Sequence, residues 1–422
     1  MSAATDPASR IVTLDVIRGV AVMGIFSVNV VGMAMIMPAY FYPPVDGFET
    51  AWDRLMWAAN FILIDHKMRS LFSILFGASA LLVMERAAAS GRSVAATHFA
   101  RMAWLLLLGL IHFYAIWWGD ILTTYAAVGM TLYFFRKLAI RWLLLLSVGL
   151  FAYSFAPAIA TIPKTFAMYQ AAHAPNAGKQ AIEKWNQRVK FFSPTAEERA
   201  GDAAMHTTTA AHLRIMAETR TFEWAEIVAD LWKETLALML LGMAGYRSGF
   251  LTGQWSDRSY FRVAAVGLGI GVAGFGSLAA WVIGSNFRFP ETISAFFALA
   301  GPLGPVMALG YAALIILLAR RPSRIRDRVA AVGRAAFTNY LGASIIGALV
   351  FFDMGLGLYG DLTRSQAWLL VPITWALMLA WSKPWLDRFS YGPFEWLWRS
   401  LARWELQPMR KRLPAGALAA EA

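Results

Sequence analysis

Long apolar segments recur along the whole chain and are separated by short polar connections. A helix that crosses the hydrocarbon core of a bilayer needs about 20 mostly apolar residues. Ten segments meet this requirement, at approximately 14–37, 66–84, 99–118, 121–135, 141–162, 226–246, 260–284, 292–319, 335–353 and 366–383. Whether residues 51–64 form a further membrane helix is left open. The pattern predicts an all-α fold, a polytopic membrane helix bundle of about ten transmembrane helices.

One connection, at residues 163–223, is far longer and more polar than the others. It separates an N-terminal membrane bundle of about five spans (1–162) from a C-terminal bundle of about five spans (224–400), which a tail (401–422) follows. Within this insert, the segment SPTAE at 193–197 has a proline early in the first turn, as helix starts often do. Part of the insert is therefore predicted to be helical.

The composition narrows the class of protein. Hydrophobic residues make up 58% and charged residues 15% of the 422 residues, and the mean hydropathy is +0.51. An average soluble domain is about 45–50% apolar and about 25% charged, so these values exclude a fibrous repeat and almost any cytosolic enzyme. Only the Ala-rich ends, 1–9 and 413–422, are predicted to be disordered. The chain has no cysteine, and its histidines lack the i, i+4 spacing of a helical metal site, so no metal is expected.

The distribution of Lys and Arg predicts the orientation in the membrane. Basic residues concentrate in alternate connections and in the C-terminal tail, while the loops at 38–50, 285–291 and 353–365 carry almost none. Because cytoplasmic loops carry the excess of Lys and Arg, both termini and the basic 320–334 connection are predicted to be cytoplasmic. The insert is then external. The net charge is +12, and the basic 320–334 connection is expected to face the headgroups of anionic membrane lipids. No nucleic-acid partner is predicted.

Ionisable residues inside the predicted spans are candidates for a functional site, because charge is expensive in hydrocarbon and often marks a substrate or ion path. In the first span, Asp15, Arg18 and Asn29 fall within about 60° of arc on the helix. They predict either an Asp–Arg pair at the inner interface with an interhelical Asn, or a polar stripe that lines a substrate path.

The third span carries His112 about two-thirds of the way across an apolar helix, and Asp120 follows at its outer end. A lone intramembrane histidine is often a structural hydrogen-bonding residue, but a nearby carboxylate is able to orient the ring for catalysis. Both interpretations of His112 stay open. On the same helix, His98 is expected to reach the inner interface, and Trp117 with its neighbour is expected in the interfacial aromatic belt.

The second span begins with four ionisable residues, Asp65, His66, Lys67 and Arg69. Because four such residues are hard to place in lipid, a helix break or re-entrant turn that lines an aqueous vestibule is predicted. Interfacial snorkelling is the alternative.

The sixth span carries Asp230, Lys233 and Glu234 on one face near its outer end. Lys233 is able to pair with either acid, and snorkelling is again the alternative. The histidines of the insert are scattered and are predicted to be solvated: His173, His206 and His212.

Several segments together resemble one family. They are LDVIRGVAVMGIFSVNV, RSLFSILFG, LGLIHFYAIWWGDILTTYA, GRAAFTNYL at 333–341 and YGPFEWLWRSL at 391–401. In this order, over nearly the whole chain, they resemble the YeiB-like family of bacterial inner-membrane proteins, also known as domain of unknown function 418. The third and fourth segments contain His112 and Asn339.

The opening motif is also similar to that of the heparan-α-glucosaminide N-acetyltransferase group of membrane acyltransferases, which begins with Leu-Asp-x-x-Arg-Gly and has an Asn in the same helix. The matching positions are Leu14, Asp15, Arg18, Gly19 and Asn29. That group has its catalytic His shortly after the Asn, whereas here VVGMAMIMPAYFYP contains no histidine and Tyr40 lies near the expected position. His112 or His66 would have to serve instead.

The sequence therefore favours a membrane-embedded acyltransferase that moves an acyl group from a cytoplasmic donor to a hydroxyl or amine of an envelope-facing glycan or lipid. His112 is the expected base and Asp120 its orienting partner. No tightly bound cofactor is expected, and acyl-CoA is the co-substrate by analogy. The residues expected to position the substrate or the donor are Asp15, Arg18, Asn29, His66, Lys67, Arg69, Asp230, Lys233, Glu234 and Asn339. A proton-coupled transporter and a structural or lipid-binding envelope protein are the alternatives.

The predicted topology is testable because single cysteines are unique labels in a cysteine-free chain. In intact cells, an impermeant thiol reagent should label Gln180→Cys in the insert and should leave Asp327→Cys unlabelled until the membrane is broken. The opposite pattern would show that the orientation is inverted.

Overall fold

The structure is a computed structural model that describes residues 11–411. Within this range the chain forms helices joined by turns, and no β-strand occurs. The predicted all-α fold is confirmed. The ends that the sequence predicts to be disordered, 1–9 and 413–422, lie outside the described residues.

In chain order, the helices of this described range are α1 (Val12–Ala34), α2 (Met37–Phe41), α3 (Ala51–Leu63), α4 (Lys67–Ala89), α5 (Val94–Ala115), α6 (Leu122–Phe135), α7 (Ile140–Ala160), α8 (Ile162–Ala172), α9 (Lys179–Val189), α10 (Ala196–Ala204), α11 (Thr209–Thr219), α12 (Glu223–Arg247), α13 (Asp257–Gly284), α14 (Phe289–Ile293), α15 (Ala300–Ala319), α16 (Arg324–Arg334), α17 (Ala336–Phe351), α18 (Arg364–Trp368), α19 (Leu370–Arg388) and α20 (Pro393–Arg403). Short 3-10 turns lie at Pro43–Val45 and Lys190–Phe192, and a π-helical turn at Ser294–Leu299 joins α14 to α15.

Between residues 11 and 411, seven helical units are long and apolar enough to cross a membrane: α1, α3–α4, α5, α7–α8, α13, α14–α15 and α18–α19. Helices α16 and α17 would make an eighth, although they are bent by 81° at their junction. Of the other predicted spans, α6 has 14 residues and α12 carries a buried Glu. The chain is thus a polytopic membrane protein, and the total of ten spans stays a prediction.

Helices α4 and α12 pack closely because each has a glycine at the contact. A Cβ atom at Gly77 would collide with the carbonyl of Met239, and one at Gly242 would collide with the carbonyl of Ile74. Small residues at such contacts let two membrane helices approach until their backbones touch. This packing also brings together the polar residues in the other halves of the two helices.

The helix break predicted in the second span is confirmed. Residues 64–66 form a turn between α3 and α4, and His66 has a positive φ of 62°, which costs a non-glycine residue roughly 1–2 kcal/mol. Two hydrogen bonds of 2.8 Å stabilise the turn, one from His66 N to Asp65 Oδ1 and one from Lys67 N to the carbonyl of Asp65.

Helix α17 begins beneath a carboxylate from α20. Glu395 accepts hydrogen bonds from the backbone N atoms of Phe337 (2.6 Å) and Thr338 (3.2 Å) and from Thr338 Oγ1 (2.6 Å). Because a helix N-terminus presents unpaired N–H groups and a partial positive charge, the buried carboxylate stabilises the start of α17. The segments 333–341 and 391–401 therefore meet in space.

The insert is largely helical and is formed by α8–α11. Thr195 caps α10, since its Oγ1 accepts a hydrogen bond from Glu198 N (3.1 Å) while Glu198 Oε2 accepts one from Thr195 N (2.8 Å). This reciprocal pair is a capping box. The helix start predicted at 193–197 is confirmed.

Two histidines dock the insert against the end of α17. His206 and His212 are each only 5% exposed. The ring of His206 stacks on Tyr359 with centroids 3.8 Å apart, and the carbonyl of His206 accepts a hydrogen bond from Asp353 N (2.8 Å). The prediction that these two histidines are solvated is wrong. Their burial results from a contact between segments far apart in the chain, which the local sequence does not reveal. His173 is exposed, as predicted.

Acid should loosen this docking. Burial lowers the pKa of His206 to about 3 and also lowers the pKa of His212, whereas a solvated histidine titrates near 6.5. The released insert therefore binds protons that the docked insert cannot. Docking should be independent of pH above about 6.5 and should weaken below it, by at most about tenfold per pH unit for each histidine.

Energy transfer between dyes on Ala203→Cys and Leu356→Cys, both exposed positions, would measure the temperature at which the insert detaches. This temperature should fall between pH 7.5 and pH 5, and the fall should be smaller in His206→Phe. A detachment temperature that does not change over this range would contradict the prediction.

Candidate functional site

His112 lies in the last turn of α5, and Asp120 holds its ring. The distance from His112 Nδ1 to Asp120 Oδ1 is 2.9 Å, and both side chains are buried. The other carboxylate oxygen, Asp120 Oδ2, accepts hydrogen bonds from N (2.6 Å) and Oγ1 (2.5 Å) of Thr123 at the start of α6. The chain turns back after α5 ends at Ala115, so Asp120 returns to the ring. The predicted contact between His112 and Asp120 is confirmed.

The contact with Asp120 determines which nitrogen of His112 is basic. An ionised carboxylate only accepts hydrogen bonds, so Nδ1 carries the hydrogen and Nε2 presents its lone pair. His112 Nε2 is buried and has no hydrogen-bond partner among the described residues. An imidazole oriented in this way is able to take a proton from a group placed beside Nε2.

Aromatic residues from α17 and from the α5–α6 connection surround this pair. The rings of His112 and Tyr340 have centroids 5.3 Å apart, and Tyr340 Oη accepts a hydrogen bond from Ile121 N (3.3 Å). Trp117 is 2% exposed and donates a hydrogen bond to the carbonyl of Gly32 on α1 (3.2 Å). The expectation that Trp117 lies in an interfacial belt is wrong, because the turn after α5 carries it into the bundle.

A second cluster joins α4 to α12. Arg69 Nη2 lies 2.6 Å from Glu234 Oε1, while Arg69 Nη1 is buried without a hydrogen-bond partner in residues 11–411. Lys233 forms no ion pair among these residues, and its Nζ lies 4.9 Å from the centre of the Tyr153 ring. The expected pairing of Lys233 with an acid is therefore wrong, since Glu234 turns inward to Arg69. Asp230 is exposed.

Tyr125 lies between the two clusters. Its hydroxyl is 2.7 Å from Ser73 Oγ and 3.4 Å from the carbonyl of Arg69, and the residue lies on α6, which begins just after Asp120. Neither Tyr125 nor Tyr340 was a sequence candidate, because an aromatic residue in an apolar helix resembles ordinary core. No group of three or more His, Cys, Asp or Glu residues that could hold a metal ion occurs in the described part of the chain.

The residues at the helix break have different surroundings from one another. Lys67 is 0% exposed, and its Nζ donates a hydrogen bond to the carbonyl of Phe61 (2.5 Å) and lies 2.9 Å from the centre of the Phe275 ring. Lys67 therefore lies in an aromatic enclosure rather than along an aqueous vestibule, which corrects the expectation. The adjacent His66 packs its ring 4.9 Å from that of Phe296, and its Nε2 is buried without a partner among the described residues.

Beside the break, Asp65, Tyr40 and Arg364 line a narrow cavity of about 20 Å³. Arg364 is buried and donates a hydrogen bond to the carbonyl of Ala39 (2.6 Å). The cavity is large enough for about one water molecule.

Asp15 and Arg18 form the ion pair that the sequence predicts. Arg18 Nη1 is 3.1 Å from Asp15 Oδ1 and 3.4 Å from the carbonyl of Gly333, and Nη2 donates a hydrogen bond to Ser79 Oγ (2.8 Å). The guanidinium thus connects α1 to α4 and to α16. These bonds favour the structural interpretation of the pair over a role in holding the donor.

The two asparagine candidates differ. Asn339 donates hydrogen bonds to the carbonyl of Val332 (3.0 Å) and to Ser382 Oγ (3.1 Å), and its Oδ1 accepts one from Trp381 Nε1 (2.9 Å). Its amide is therefore engaged within the bundle. Asn29 is half-buried, forms no hydrogen bond with its side chain in residues 11–411, and lies three residues before Gly32, on the face of α1 that meets Trp117.

Comparison with known proteins gives one family. A family model described as Protein of unknown function (DUF418) matches residues 245–405. The chain is 31% identical to Uncharacterized protein YxaH of Bacillus subtilis (strain 168), over 96% of each chain. It is 30% identical to Uncharacterized protein YeiB of Escherichia coli (strain K12), over 93% of this chain and 96% of that protein. No solved structure matches the chain.

Arg18→Ala should lower stability because it leaves Asp15 without its guanidinium and breaks the links to α4 and α16. The pair is partly exposed, with 24% and 13% of the two side chains accessible. The expected cost is therefore about 2 kcal/mol, below the roughly 3–5 kcal/mol of a fully buried pair. Thermal unfolding of the purified protein measures it, with Arg324→Ala at an exposed position of α16 as the control. An unchanged unfolding temperature together with lost activity would instead make Arg18 a functional residue.

Proposed function

The chain belongs to the YeiB-like DUF418 family of membrane proteins, and we propose that it is an acyltransferase embedded in the bacterial inner membrane. In this proposal, acyl-CoA on the cytoplasmic side supplies an acyl group, which passes to a hydroxyl or amine of an envelope-facing glycan or lipid. The observation that carries the proposal is the buried His112–Asp120 pair, whose Nε2 has no partner among residues 11–411.

The chemistry assigns a role to each member of the site. His112 Nε2 takes the proton of the acceptor O–H or N–H as the acceptor oxygen or nitrogen attacks the thioester carbonyl carbon. Asp120 stabilises the imidazolium that forms. The C–S bond then breaks, and the leaving thiolate takes the proton back from Nε2, so protons and electrons balance. Thr123 holds Asp120 in place through two hydrogen bonds.

Two side chains are suited to the oxyanion of the intermediate, and one of them, Tyr340, has its ring beside that of His112. Tyr340 Oη accepts the bond from Ile121 N, which leaves its own hydrogen available to an oxygen beside the ring. Asn29 offers an amide N–H₂ from the face of α1 that meets Trp117. A donor aimed at a developing oxyanion in a dry site is worth more than it is in water, so both residues are assigned to this role. Arg69, fixed by Glu234, positions the substrate from the neighbouring cluster.

Proton-coupled transport is the second candidate, and the helix break is the observation that favours it. His66, Lys67 and Arg69 follow one another at the start of α4, and ionisable residues inside a membrane bundle often form proton relays. Transport predicts substrate-dependent proton movement across sealed vesicles without acyl-CoA consumption. The acyltransferase proposal predicts the reverse.

The test of the acyltransferase is the turnover of labelled acyl-CoA by the purified protein in bacterial lipid. His112→Ala should lower turnover by about 10²–10⁴-fold, the usual contribution of a general base. Asp120→Asn added to His112→Ala should cost little more, because members of one catalytic unit are not additive. Donor binding should survive both changes.

The matched control is His98→Ala. His98 lies on the same helix and is equally buried rather than at the interface as expected, but its Nε2 meets only the carbonyl of Gly129 (3.0 Å). Its substitution should lower stability and leave the turnover of the folded fraction close to wild type. The proposal would be contradicted by full activity of His112→Ala, or by the absence of acyl-CoA binding to the wild-type protein.

A further inference from the structure

A pocket of about 260 Å³ lies where the insert covers the ends of α5 and α17. Ala115 and Ile116 at the end of α5 and Ala348 on α17 form apolar walls, and His206 of the insert closes one side. Ligand sites are typically apolar with a few well-placed polar groups and measure about 300–1,000 Å³. The pocket therefore suits part of a molecule, such as a segment of hydrocarbon chain.

The pocket adjoins the helix that carries the candidate site. His112 lies one helical turn before Ala115 and Ile116 on α5, and its ring meets Tyr340 on α17. The same two helices thus carry the proposed reacting groups and form the pocket walls. A ligand against Ala115 and Ile116 therefore lies about one helical turn from His112 along α5.

The pocket also opens at the apolar surface of the bundle. Leu349 and Met354 line it, yet they are 49% and 46% exposed. An apolar chain is therefore able to enter from the bilayer. A soluble sugar would gain no binding free energy from these apolar walls.

The polar groups of the pocket are acceptors. The Nδ1 atoms of His206 and His212 face the carbonyl oxygens of Asp202 (2.9 Å) and Met205 (3.2 Å), so each Nδ1 carries the hydrogen. Burial lowers the pKa of both rings, which keeps them neutral and leaves Nε2 with a lone pair. His206 lines the pocket, and the Nε2 of its neighbour His212 is buried without a hydrogen-bond partner in the part of the chain that the structure describes. A ligand at His206 Nε2 must donate a hydrogen. The cation that acts on both rings, Arg220, is already paired with Asp202 and Glu223, so it offers little to a phosphate.

We propose that this pocket binds the acceptor substrate as a neutral amphiphile. Its hydrocarbon chain lies against α5 and α17, and a hydroxyl or amine of its head group donates a hydrogen bond to His206 Nε2. That this amphiphile is the acyl acceptor depends on the proposed acyltransferase function. Its binding in the pocket does not depend on that function. The inference narrows the substrate class to lipid-like alcohols and amines.

Photo-crosslinking tests the site without any acyl donor. The purified full chain is placed in phosphatidylcholine nanodiscs that contain either diacylglycerol or phosphatidic acid, each with a diazirine in the same acyl chain. After illumination, mass spectrometry measures labelling of residues 345–354. Diacylglycerol should label this segment about 2- to 10-fold more than phosphatidic acid, the preference that one neutral hydrogen bond provides.

Two variants separate the chain site from the head-group contact. Leu349→Trp fills the mouth of the pocket and should reduce labelling by both probes, whereas Leu377→Trp, 50% exposed on α19, should not. His206→Phe keeps an aromatic ring against Tyr359 and should abolish the preference for diacylglycerol. Thermal unfolding confirms that each variant is folded.

Three results would overturn the inference. Equal labelling by the two probes in wild type would exclude the neutral head-group contact. Labelling that Leu349→Trp does not change would come from lipid around the bundle, and a His206→Phe variant that keeps the preference would remove the assigned acceptor. If the pocket labels as expected while acyl-CoA is never consumed, the site stands and the proposed function fails.

Discussion

A polar side chain in the hydrocarbon core must find its partner inside the protein, because no water is available there and an unsatisfied group costs several kcal/mol. This constraint explains how the bundle is held together. Arg18 joins three helices through Asp15, Ser79 and the carbonyl of Gly333. Asn339 and Glu395 likewise form hydrogen bonds with neighbouring helices through their side chains. Each such residue fixes a helix contact that dispersion alone would leave free to slide.

The same constraint makes the exceptions informative. Buried polar atoms without a partner among residues 11–411 include His112 Nε2 on α5, Arg69 Nη1 on α4 and His66 Nε2 in the turn before α4. A buried polar atom without a partner needs an explanation, and a ligand that supplies the missing hydrogen bond is one such explanation. His112 differs from the other two because a carboxylate orients its ring, which makes its lone pair usable as a base.

The helix ends determine how this region is assembled. The carboxylate of Glu395 fixes the start of α17, and the return of the chain after α5 carries Asp120 and Trp117 inward. The insert then covers the far ends of these two helices through His206 and Tyr359. Helix α5 therefore carries both His112 and one wall of the apolar pocket, and movement of the insert would change access to the pocket.

Hydrophobic segments of membrane length, the near-absence of strand signals and the break at Asp65–His66 were readable in the sequence, because membrane insertion and backbone hydrogen bonding act on local composition. The proximity of Asp120 to His112 was also readable, since eight residues and a helix end limit their separation. Tertiary structure alone decided that Glu234 pairs with Arg69 rather than with Lys233. It also decided that Lys67 lies among aromatic rings and that Trp117 is in the core. The burial of His206 and His212 is a further outcome of this kind. Those outcomes depend on which helix faces which, and pair energies between residues distant in the chain leave no periodic trace in a single sequence.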